Sequence, residues 1–116
     1  MIIVPKDDLI KQWRERILEH TDIPADKIGL IQQNVCNPEG KIVTLASLGS
    51  ISIPGRYPVH IRSLFGLVIA DECHRLGAEQ FSNVCWMFPS WLRLGLSATP
   101  ERADGKEIIF NAHIGP

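Results

Sequence analysis

The stretch FGLVIADECHRLG, residues 65–77, sets the tightest limit on what this chain can fold into. Leu67, Val68, Ile69 and Ala70 run without alternation into two carboxylates, Asp71 and Glu72. An unbroken apolar run of strand length is apolar on both faces, the habit of a central strand in a parallel sheet. Parallel strands need long crossovers, usually helices, so this run commits the chain to an α/β architecture.

The rest of the sequence keeps that rhythm. Ile2, Ile3 and Val4 form a strand stopped by Pro5. Asp7 or Asp8 caps a helix over residues 7–20, whose apolar face is Leu9, Ile10, Trp13 and Ile17. Trp13 is read there as a packing residue, as are Trp86 and Trp91. Further strands are expected over residues 28–31, 41–46, 92–96 and 108–110, and a helix over 78–87. Asn37-Pro38-Glu39-Gly40 is a turn. Residues 49–58 hold two Gly, two Pro and two Ser and read as a surface loop. No repeat or linker interrupts the pattern, so residues 1–116 are expected to be one domain.

Composition narrows the function classes. A chain of 116 residues supports a single core. Its formal net charge of -1 rules out a globally basic surface, so any nucleic acid must meet a local patch. Cys36, Cys73 and Cys85 have no paired spacing, which fits free thiols in a reducing cytoplasm, bacterial or that of a phage host. No run is long enough for a membrane span, and no secretory leader is evident.

In an open parallel sheet, ligands bind beyond the carboxyl ends of the strands. Pro5-Lys6-Asp7-Asp8, Asp71-Glu72-Cys73-His74 and Ser97-Ala98-Thr99-Pro100 all follow expected strands. Asp followed by Glu at such an exit suits nucleotide hydrolysis: the first acid holds Mg²⁺ through a water, and the second deprotonates the attacking water. The same pair also suits a helix start, where acids favour the dipole. A two-carboxylate metal hydrolase is a third option, but it lacks a further acidic ligand nearby.

Taken with LGLSATPERADG, residues 94–105, the sequence resembles the first RecA-like domain of the superfamily 2 DEAD/DEAH-type helicases. Phage and bacterial helicases and XPB-type DNA-repair translocases are the branch it looks most like. DECH resembles motif II, the Walker B box, and SAT resembles motif III. IIVPKDDLIKQW is similar to motif Ia, and KIVTLASLGSI to the Ib region. The resemblance implies Mg²⁺ held by Asp71, Glu72 as catalytic base, and His74 as a link between the γ-phosphate and the nucleic acid. It implies that Ser97 and Thr99 couple hydrolysis to strand movement, and that Pro5, Lys6, Thr44 and Ser50 lie along a DNA backbone, single-stranded or duplex.

The family's phosphate cradle, G-x-x-x-x-G-K-[ST], does not occur in these residues. Lys follows Gly only at Gly40-Lys41 and Gly105-Lys106, where Val35 and Pro100 replace the leading glycine and Ile42 and Glu107 the final hydroxyl. The expected fold is therefore a partial RecA-like domain, a mostly parallel sheet flanked by helices without the Walker A strand and helix. It carries motifs Ia to III. Neither ATP nor Mg²⁺ is expected to bind this chain tightly, and it is not expected to hydrolyse ATP alone. A strand at 92–96 without its P-loop neighbour becomes an apolar edge, open to a chain that supplies the P-loop or to self-association. The competing reading is a non-enzymatic helicase relic that binds nucleic acid or protein.

Overall fold

The computed structural model describes residues 1–72, 78–90 and 92–96. The strands are β1 (Ile2–Val4), β2 (Ile28–Gln32), β3 (Val35–Cys36), β4 (Val43–Ser47), β5 (Leu67–Asp71) and β6 (Leu92–Leu96). The helices are α1 (Asp7–His20), α2 (Leu48–Ile51) and α3 (Ala78–Met87), with 3₁₀ turns at Ala25–Lys27 and Val59–Ser63. The six strands form one sheet in the order β3-β2-β4-β1-β5-β6. Every neighbouring pair is parallel except β2–β3, a hairpin turning at residues 33–34. This is the mixed, mostly parallel α/β sheet that the apolar run implied.

Each face of the sheet has its own core. α1 packs on β1 and β4, and Ile10 and Ile17 join Ile2, Val4, Ile28 and Leu45. The opposite face gathers Ile3, Ile31, Ala46, Val68 and Ala70 under α2, α3 and the Val59–Ser63 turn. α3 presents Phe81, Val84 and Cys85, and Phe88 just beyond its end continues the same helical stripe. Trp86 lies on the other side of that helix and is 78% exposed, contrary to the packing role expected of it. Trp91 and residues 108–110 lie outside the described residues.

Two further expectations change. β5 is an interior parallel strand between β1 and β6, as expected, but it buries only Val68 and Ala70, whereas β1 is buried at all its positions. Leu67 and Ile69 point to the α1 face, but α1 sits over β1 and β4, so that face of β5 is left partly open. The expected loop from residue 49 begins instead inside α2, where Ser50 and Ile51 are buried, as is Ser52 at its C-cap. Ile51 supplies the apolar anchor that turns a Gly/Ser-rich stretch inward.

Candidate functional site

Parallel register brings the exits of the strands to one rim. Val4 is level with Ser47, Ile3 with Ala70, and Asp71 with Leu96. The segments that leave β1, β4 and β5 therefore start side by side: Pro5-Lys6, α2, and Asp71-Glu72.

Asp71 ends β5 on the side that faces α1, because Leu67, Ile69 and Asp71 alternate with the buried Val68 and Ala70. From α1, the Trp13 indole Nε1–H donates a hydrogen bond to Asp71 Oδ2 at 2.7 Å. That length lies in the range of charge-assisted bonds, in which the donor meets an ionised acceptor. Trp13 thus does more than pack, and nothing local in the sequence signalled it.

Glu72 follows with φ +52°, in the left-handed region that a residue with a side chain rarely adopts. Such a conformation costs about 1–3 kcal/mol and is found at active sites, where a chain must turn abruptly. Here it ends the strand directly after Asp71. Both acids are half-buried.

Lys6 is the N-cap of α1 and is exposed, with no side-chain capping bond; Pro5 beside it is half-buried. Lysine is a poor N-cap, since its charge opposes the positive end of the helix dipole, and Asp7 and Asp8 in the first turn offset it. Ser50 and Thr44 stand differently. Ser50 is 5% exposed, and its Oγ accepts the Gln33 N–H at 2.9 Å, which together with the Tyr57 hydroxyl on the Gln33 carbonyl (2.7 Å) fixes the β2–β3 turn. Thr44 is 3% exposed and is paired with Gly29 near the amino ends of β4 and β2, away from the rim that holds Asp71. Burial takes both side chains out of reach of an external phosphate. His74, Ser97 and Thr99 lie outside the described residues.

Among the described residues no group of three or more His, Cys, Asp or Glu could cage a metal. Burial holds the free thiols of Cys36 and Cys85 in the protonated form, Cys85 pushed up to about 11. Cys73 lies outside the described residues. The donor set suits Mg²⁺ rather than a fully protein-ligated ion, since Mg²⁺ keeps several waters and takes one or two carboxylates plus substrate phosphates. Trp13 engages one oxygen of Asp71, and among the described residues Oδ1 has no such bond. Asp71 and Glu72 are the carboxylates at this rim that could serve such an ion. The phosphate cradle is not in these 116 residues.

The family model described as "Type III restriction enzyme, res subunit" matches residues 1–102. A DNA 3'-5' translocase XPB2 of Sulfurisphaera tokodaii is 36% identical over 116 residues, all of this chain and 25% of that protein. A DNA 3'-5' helicase XPB of Kineococcus radiotolerans is 32% identical over all of this chain and 21% of that protein. The chain thus spans about a quarter of the length of the curated relatives it matches. Among solved structures, T4 UvsW aligns with 98% of this chain and 24% of that chain at a TM-score of 0.79 and 21% identity. The Pyrococcus furiosus Hef helicase domain aligns with 99% of this chain and 27% of that chain at a TM-score of 0.73 and 21% identity. Those two likenesses establish the RecA-like fold of the helicases, and no helix among the described residues is long and apolar enough to cross a membrane. With a family model covering most of its length and helicase relatives along all of it, this chain belongs to the ResIII family of superfamily 2 helicases.

Proposed function

We propose that residues 1–116 are the motif Ia-to-III part of the first RecA-like domain of an ATP-dependent DNA helicase or translocase. They would work with polypeptide that carries the P-loop and the second RecA-like domain. The observation that carries this reading is the strand exit itself, where Asp71 and then Glu72 leave β5 at the rim shared with Pro5 and Lys6.

In this reading Asp71 holds the hydration shell of Mg²⁺ through its carboxylate, and Glu72 takes the proton of the attacking water. When bound, the ion neutralises charge on the transferring phosphoryl group. Lys6 and Pro5 lie along the nucleic-acid backbone, where they position without reading bases. Ser50 and Thr44, both buried, take no direct part in that contact: Ser50 braces the β2–β3 turn, and Thr44 lies toward the opposite end of β4. His74 links the two sites, and Ser97 and Thr99 pass hydrolysis to strand movement. Relatives described as DNA translocases or helicases outnumber those described as RNA helicases, which favours DNA as the track.

The test is reconstitution. With a chain that supplies the P-loop, ATP hydrolysis should appear and Glu72→Gln should lower its kcat by about 10²–10⁴-fold, the usual contribution of a general base. Unchanged hydrolysis in Glu72→Gln sinks the assignment. The chain alone should bind MgATP more weakly than micromolar.

A second reading has one observation in its favour. Leu92, Leu94 and Leu96 are exposed on the strand at the end of the sheet order, where β5 is the one neighbour of β6 among the described residues. We infer that this face is where P-loop-bearing polypeptide packs, whether or not the assembled protein hydrolyses ATP. As a relic, the chain would bind single-stranded DNA in a salt-dependent way with no nucleotide requirement.

A further inference from the structure

We propose that Trp13 is a positioning residue for Asp71: its indole N–H holds Oδ2 and leaves Oδ1 as the oxygen offered to hydrated Mg²⁺. The proposal rests on the reading of Asp71 as the metal carboxylate.

The geometry makes this bond more than incidental. It joins residues 58 apart in sequence, at 2.7 Å. Each end sits on a rigid element. Trp13 lies on the 14-residue α1, three positions after buried Ile10 and four before buried Ile17, so the ring is held at the centre of the stripe docked on the sheet. Asp71 is the last residue of β5, in register with Leu96 of β6. An aliphatic side chain would fill the same space on the stripe. What the indole adds is a single N–H, and that N–H meets a carboxylate oxygen.

The consequence follows from coordination chemistry. Mg²⁺ demands near-octahedral geometry and gives up water reluctantly, so it is served by one carboxylate oxygen rather than by both. A carboxylate with one oxygen tied to an indole cannot rotate freely or chelate with both oxygens. Partners of ligating carboxylates act in this way in metal sites, and their loss typically weakens metal affinity about 10–100-fold. The plain alternative is that the indole only satisfies a half-buried carboxylate, in which case its removal changes stability and leaves the metal untouched.

The two are separated on the 116-residue chain itself, labelled with ¹⁵N and titrated with MnCl₂ as the probe. In the unsubstituted chain, paramagnetic broadening should centre on the Asp71 amide and the Trp13 indole, and Asp71→Asn should remove it. Trp13→Phe keeps a ring on the stripe but removes the donor. It should raise the Mn²⁺ midpoint about tenfold while the amide spectrum of the sheet stays in place. A midpoint within twofold of the unsubstituted chain overturns the positioning role and leaves the metal reading of Asp71 standing. No broadening at Asp71 in the unsubstituted chain overturns the metal reading, and this inference with it. Should Trp13→Phe fail to fold, the unsubstituted chain still decides. Saturating MgCl₂ should leave the Trp13 indole proton hydrogen-bonded and slow to exchange, because Oδ2 and Oδ1 serve different partners. Release of the indole by Mg²⁺ overturns the proposal.

Discussion

The β2-β4-β1 half of the sheet and the β5-β6 half are built from strands of similar apolar composition, yet they end in different surroundings. In the first half, α1 covers one face and α2 and α3 lie against the other, so β1 is wholly buried and β4 is buried from Thr44 to Ser47. In the second half only the α3 side is filled. Val68 and Ala70 are buried, while Leu92 and Leu94 are 63% and 48% exposed on the opposite face. What buries a strand residue is therefore the helix that crosses it, not the hydrophobicity of the strand. The candidate site lies on the seam between the halves, where the edge of α1 reaches across with Trp13 to the end of β5.

The sharpest test of that contrast removes one large side chain from each half-layer. Phe81 is among the largest fully buried side chains and, from α3, shares a core with Val68 and Ala70. Phe81→Ala should cost about 3–5 kcal/mol, as large-to-small changes in a filled core do. Leu94→Ala, on the open face of β6, should stay within about 0.5 kcal/mol. Urea unfolding of both variants measures the difference. A loss above about 2 kcal/mol for Leu94→Ala would mean that the face is covered in solution, and the contrast between the halves would fail.

A smaller effect is expected at Gly29, inside the well-covered half. A Cβ built there meets Thr44 Oγ1 at 2.9 Å, the Asn37 carbonyl oxygen at 3.0 Å and Lys41 Cγ at 3.0 Å. The Asn37 side chain returns to this strand, its Oδ1 accepting the Leu30 N–H at 2.8 Å, so the loop cannot simply retreat. Gly29→Ala should destabilise by about 1–3 kcal/mol, the range for overpacking a filled site. A neutral result in the same urea series would show that the loop over β2 gives way, and that coverage of this half is looser than its burial implies.

The sequence displayed the elements well and the coverage poorly. Helices at 7–20 and 78–87 and the strand at 92–96 could be read from apolar spacing, because periodicity is local. That β5 is open on one face could not, since it depends on where α1 lands, over β1 and β4 rather than over β5. The α2 turn was hidden because Gly49, Ser50 and Ser52 look like loop residues until Ile51 is seen to be buried. At the site, Asp71 and Glu72 stood out as chemistry at a strand exit, whereas Trp13 did not. A hydrogen bond between residues 58 apart leaves no local signature, and a Trp on an apolar stripe reads as packing. Thr44 and Ser50 show the reverse: hydroxyls that looked available in sequence are buried within the fold.

The smallest change in folding stability, with the largest change in behaviour, is expected on the open face. Leu92, Leu94 and Leu96 share one side of β6 with Leu67 of β5, and Leu67 is in register with Leu92. Contiguous apolar surface at the end of a sheet favours pairing with another chain, and natural edges are guarded by charge, lysine above all. The double substitution Leu92→Lys and Leu94→Lys places that guard on the exposed face without touching the filled side, where Arg93 reaches the Cys85 carbonyl at 3.3 Å. Stability by urea should shift by no more than about 0.5 kcal/mol per site. Sedimentation velocity should show concentration-dependent association of the unsubstituted chain and a monomer for the double variant. If both are monomeric at every concentration, the open face is not a site of self-association. If a P-loop-bearing chain binds the unsubstituted protein but not the double variant, the same face is where that chain docks. Binding of that chain equally to both moves its contact elsewhere, and the exposed leucines then have no part in assembling the site.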